Sequence, residues 1–111
     1  MRADVRRLWL EALRSGEYEQ GHGQLRDGDS FCCLGVLCAL HAEQTREGGF
    51  CDGVYVVYGA QAKRQYPPDS VEKWADLSAQ DGRELWHRND GNDTYHRHSF
   101  AEIADYIEEY L

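Results

Sequence analysis

Ser30–Leu40 reads S-F-C-C-L-G-V-L-C-A-L, and every residue after Ser30 is apolar or glycine in a chain that is otherwise polar. Eleven residues fall well short of the ~20 that a bilayer-spanning helix needs. The run is therefore predicted as a buried helix, over about 30–41, at the centre of a small soluble domain. Phe31, Leu34, Val36, Leu37, Cys38 and Leu40 point nearly all round the helix axis, the pattern of a helix covered on most sides. Gly35 costs about 1 kcal/mol against alanine inside a helix, so another segment is expected to pack on its bare backbone. Burying Phe31, Leu34, Leu37 and Leu40 at roughly 2 kcal/mol each outweighs that cost.

Outward from this run, helical periodicity marks two more main helices. Val5, Leu8, Trp9, Ala12 and Leu13 form one face over about 4–15, with Asp4 as expected N-cap and Ser15-Gly16 as the stop. Ser99 and Glu102 form a capping box for a last helix over about 99–110, with Phe100, Ile103, Ala104, Ile107 and Leu111 on one face. Acidic residues at the end of that helix oppose its dipole, so a cation is expected to meet them or the end to fray. After Pro67-Pro68 a short helix is predicted near 69–77, opened by Asp69 and Glu72. Gly53–Gly59 reads as a strand, with Ala60–Tyr66 its partner or a link, giving a small two-strand element near 53–66. His41–Asp52 reads as a loop, Glu17–Arg26 as an irregular connector, and Asp27-Gly28-Asp29 as a turn with Asp29 or Ser30 capping the central helix. In the polar stretch Ser78–Gly91 only a helical turn through Arg83–Arg88 is predicted. The expected fold is α+β, a single domain over 1–111.

The chain carries 12 basic and 20 acidic residues, a net charge of −8. Residues 69–111 hold four basic against eleven acidic side chains, so the acidic field sits in the C-terminal part. Such a field argues against direct nucleic-acid or anionic-membrane binding and is compatible with a basic protein partner or with DNA mimicry. Met1–Arg14 lacks the apolar core of a signal peptide, and reduced, buried thiols are expected for the four cysteines, Cys32, Cys33, Cys38 and Cys51, which together suggest a cytoplasmic protein. No cofactor is expected.

Several motifs resemble those of a group of short uncharacterised proteins of phages, prophages and bacteria. They are W-L-E-A-L-R-S-G-E-Y-E-Q-G (Trp9–Gly21), Leu25-Arg26, F-C-C-L-G-V-L-C (Phe31–Cys38), P-P-D-S-V-E-K-W-A-D-L (Pro67–Leu77), Asn89-Asp90 and S-F-A-E-I-A-D-Y-I-E (Ser99–Glu108). The resemblance implies a small cytoplasmic accessory protein, phage-encoded. Gly91–His98 departs from the shared pattern, so no common role is carried over to His96 or His98.

The residues offer four kinds of chemistry. His96-x-His98 with His87, or Cys38 and His41 with Cys33 or Cys51, offer metal ligands, but neither set repeats the paired spacing of a zinc site, and no metal is assigned. Cys32 and Cys33 at a helix start, with His22 upstream, offer a nucleophile, yet their apolar surroundings raise a thiol pKa. Asp90, Asp93, Glu102 and Asp105 do not make a paired-carboxylate constellation, and no catalytic residue is assigned. A binding site has the better composition: Tyr18, Gln20, His22, Gln24 and Arg26 from the connector with Trp86, Asn89 and Asp90, joined by Tyr95, supply stacking faces, amides and a guanidinium for a small nucleotide-like ligand. The plainer alternative is that these amides and carboxylates cap turns and satisfy backbone. Asp105, Glu108, Glu109 and Tyr110 form an exposed acidic face suited to a partner protein. The sequence thus favours a non-enzymatic binder of a host protein or nucleotide-type signal, over a small metal- or cysteine-dependent hydrolase. A homodimer is compatible with it.

Overall fold

The computed structural model describes residues 1–59, 61–93 and 96–111. Among them the chain forms α1 (Ala3–Ser15), β1 (Glu19–Gln20), β2 (Arg26–Asp27), β3 (Ser30–Phe31), α2 (Cys33–Thr45), β4 (Gly48–Cys51), β5 (Val54–Val57), β6 (Gln61–Lys63), α3 (Asp69–Ala75), α4 (Ala79–Asp90) and α5 (Phe100–Tyr110). The fold is α+β, five helices with two small sheets ordered β1-β3-β2 and β4-β5-β6.

Helix α2 is the interior rod that its composition demands. Cys33, Leu34, Gly35, Val36, Leu37, Cys38, Leu40 and His41 are all buried in it. A Cβ built on Gly35 would run into the carbonyl oxygen of Leu25, itself fully buried, so the segment expected against the bare backbone is Leu25. Helix α1 contributes Val5, Trp9, Leu10 and Leu13 to the core, and the Trp9 indole donates to the Cys33 carbonyl at 3.0 Å. Helix α5 buries Phe100, Ile103, Ala104 and Ile107, with the predicted Ser99–Glu102 capping box complete.

Several boundaries differ from the sequence reading, each for a local reason. The central helix starts at Cys33, because Ser30–Phe31 is drawn into a strand parallel to β1 and antiparallel to β2. Its N-cap is consequently Cys32, whose sulfur accepts from the Gly35 N–H at 3.3 Å, and not Asp29 or Ser30. At the other end the helix runs on to Thr45, into the stretch read as a loop. The rest of that loop is strand β4, which forms a hairpin with β5 across Asp52-Gly53; both turn residues have positive φ (50° and 80°), the backbone of a type I′ turn. With β6 the predicted two-strand element becomes three-stranded. Helix α1 is capped at Arg2, whose side chain holds Asp4 in the first turn, and α3 at Pro68 without help from Asp69. The helical turn expected at Arg83–Arg88 is a full twelve-residue helix, α4, opened by Ser78, whose hydroxyl accepts from the Asp81 N–H.

Candidate functional site

Four of the eight residues predicted to bind a ligand meet at the N-terminal end of α2. Asn89, on the last turn of α4, is fully buried beneath the connector. Its carbonyl oxygen accepts from the Gln20 amide at 3.0 Å and from the Cys33 backbone N–H at 3.1 Å. Its amide nitrogen donates to the Gly21 carbonyl and to one oxygen of Asp90, each at 2.9 Å. A neutral amide has two donor and two acceptor positions, and all four are filled by the chain itself. The other Asp90 oxygen accepts from the Trp86 indole at 2.8 Å and the Gly23 N–H at 3.2 Å. Gln20 also donates to the His98 carbonyl at 2.8 Å. Cys33 is the first residue of α2, so Asn89 satisfies one of the free N–H groups that open every helix. The cluster ties connector, α2, α4 and the approach to α5 together.

The remaining predicted ligand residues lie around it. Tyr18 is half-buried and meets Phe31 edge-on, with ring centroids 5.2 Å apart. The Arg26 guanidinium lies over Phe31 and Phe50, at 5.1 and 5.6 Å from their centroids, and its Nε donates to the Gly28 carbonyl. His22 and Gln24 are half-buried in the connector. Tyr95 lies outside the described residues.

The thiols of Cys32, Cys33 and Cys38 are buried, and burial pushes Cys32 up to about 12 and the other two well above their ordinary value. They are protonated at neutral pH, which disarms them as nucleophiles. Cys51 is exposed. His41 shares a 2.6 Å hydrogen bond through Nδ1 with the Tyr55 hydroxyl and packs edge-on against Trp74. Among the described residues no three His, Cys, Asp or Glu side chains converge as metal ligands. The rings of His96 and His98 lie 4.8 Å apart, while His87 pairs with Asn92.

On the acidic face of α5, Arg14 donates to both Asp105 (2.9 Å) and Glu108, and Arg6 donates to the Glu108 carbonyl. Those two guanidinium groups are the cations that the end of this helix was expected to need. Glu109 projects into solvent beside Tyr110, which is 65% exposed.

Two clefts lined by carboxylates have no counterpart in the motifs of the sequence. One, of about 600 Å³, lies between α3 and α4 and is lined by Asp69, Glu72, Asp76 and Asp81 with Lys73 among them. The other, about 310 Å³, lies between α1 and α2, with Leu8, Ala12, Tyr18 and Leu40 as apolar lining and Glu11, Glu17 and Glu43 around it. The triplet Glu17-Tyr18-Glu19, an aromatic between two acids just after a helix, was the available signal for the second.

Among the described residues no helix is long and apolar enough to cross a membrane. No curated protein and no solved structure matches the chain. Residues 1–91 match a domain family of unknown function, DUF8296, a span that includes Gln20, Trp86, Asn89 and Asp90 and both clefts. The chain is a member of that family of uncharacterised domains.

Proposed function

We propose that this chain is a small accessory protein of phage type that binds and sequesters a basic protein in the bacterial cytoplasm, without itself catalysing a reaction. The observation that carries this reading is the C-terminal part of α5, where exposed Glu109 adjoins the exposed Tyr110, and where Asp105 and Glu108, although ion-paired with Arg14, keep 77% and 57% of their side chains exposed. An exposed aromatic on a helix that also presents exposed carboxylates has the composition of an interface anchor with an electrostatic rim. A nucleotide-type signal is the less favoured target, since Gln20, Asn89 and Asp90 already spend hydrogen bonds on the chain itself.

The test is photo-crosslinking in bacterial cytoplasm with a photoreactive amino acid at Tyr110, followed by affinity measurement on the purified partner. The expected result is one basic protein whose capture weakens as salt rises and is lost in Glu108→Lys/Glu109→Lys. Capture that ignores both salt and this charge reversal rules out the α5 face.

A further inference from the structure

The two clefts differ in how their charge is balanced. In the α3–α4 cleft the carboxylates have company: the Met1 amine lies 3.9 Å from Asp76, Lys73 is in the lining, and the Tyr66 hydroxyl is directed at Glu72. In the α1–α2 groove, among the described residues, neither Glu11, Glu17 nor Glu43 has a cationic partner or a side-chain hydrogen bond. Three carboxylates thus stand around half the volume with no ion pair within 4 Å among the described residues.

Apolar side chains share the groove's lining with its carboxylates. Leu8 and Ala12, four residues apart on α1, and Tyr18 are partly exposed while packed on the core, and Leu40 of α2 lies among them. Glu43 and Glu17 both act on the Tyr18 phenol, whose pKa is raised first by burial and then by these two charges. A volume of about 310 Å³ sits at the bottom of the ~300–1,000 Å³ range of small-molecule sites. It holds an anchoring side chain better than a cofactor. An alkyl stem against apolar surface with a cationic head among carboxylates is how lysine and arginine bury part of themselves, and a tyrosine face adds cation–π attraction.

We propose that this groove receives a lysine- or arginine-bearing amphipathic segment of a partner protein, its stem on Leu8, Ala12 and Tyr18 and its charge among Glu11, Glu17 and Glu43. The inference rests on the binding role argued above and adds to it a second contact surface on a different side of α1 from the α5 face.

The test is an NMR titration of the full chain with a short amphipathic leucine–lysine peptide, with the same design carrying glutamate for lysine and a linear polyamine as comparison ligands. Saturable shifts are expected at Leu8, Ala12, Tyr18 and Leu40 with the lysine peptide only. Affinity should fall at least ~tenfold in Glu17→Lys/Glu43→Lys and measurably in Glu17→Gln/Glu43→Gln, but less than ~twofold in Asp29→Lys/Asp93→Lys, which changes net charge equally elsewhere. Equal losses in both lysine pairs, shifts confined to the α3–α4 cleft, a polyamine that binds as tightly as the peptide, or no binding at all would each overturn the groove assignment. None of these touches the α5 reading, which stands or falls on the crosslinking result at Tyr110.

Discussion

The two ends of α2 are both surrounded by polar side chains, and they use them in opposite ways. At the N-terminal end Gln20, Asn89 and Asp90 close on one another and on the backbone of Gly21, Gly23 and Cys33. Further along, Glu43 with Glu11 and Glu17 lines a groove that also carries Leu8, Ala12, Tyr18 and Leu40, and among the described residues these carboxylates have no ion-pair partner. Polar residues with complete internal partners specify a fold, because breaking the set strands buried donors and acceptors. Polar residues without them keep their electrostatic capacity for something outside.

This contrast is open to direct attack. The largest effect is expected from Gly35→Ala, which drives a methyl group into the Leu25 carbonyl and should cost about 3 kcal/mol in urea unfolding; a near-neutral result would mean that Leu25 does not sit there. Asn89→Ala strands the Cys33 N–H and the Gly21 carbonyl and should cost about 2 kcal/mol. Reversing the groove charges, by contrast, should leave stability within about 0.5 kcal/mol, as exposed positions do. If both changes unfold the protein to the same degree, the distinction between the two ends is lost.

An effect of pH is also expected, and it sits between these regions, at His41. Burial lowers its pKa below the ordinary 6.5, against a weaker opposing pull from Glu47. The unfolded chain therefore takes up a proton near pH 6.5 that the folded chain refuses, so stability is intact above that pH and declines as pH falls below it. One such proton accounts for at most about 1.4 kcal/mol per pH unit. His41→Gln should flatten the decline between pH 7.5 and 5.5 in denaturant midpoints; an unchanged slope would assign it to other groups.

Much of this was readable from local sequence and some was not. The interior character of α2, the approach of another segment to Gly35 and the capping box of α5 follow from patterns within a dozen residues. The β4–β5 hairpin was equally local: Asp52-Gly53 is a strong hairpin signal, but Gly48-Gly49 deprived the first strand of the side chains that mark a strand. Helix α4 escaped because its buried face is Gly82, Leu85 and Asn89, with only one large apolar residue to show a period. The two-residue strands β1 to β3 exist only through tertiary pairing. Asn89 drew attention as a polar residue, yet its role depends on Cys33, 56 positions away, a separation that no pattern in a single sequence encodes.

The central claim is that the polar cluster opening α2 is closed and structural. Amide hydrogen exchange at Cys33 tests it most directly, because that N–H donates to Asn89 inside the cluster. The structure predicts exchange only through global unfolding, with the same protection as the mid-helix amides of α2 and a loss of that protection in Asn89→Ala. Exchange at Cys33 within the dead time of native-state labelling, while the middle of α2 stays protected, would contradict it and reopen the cluster as a site for a ligand.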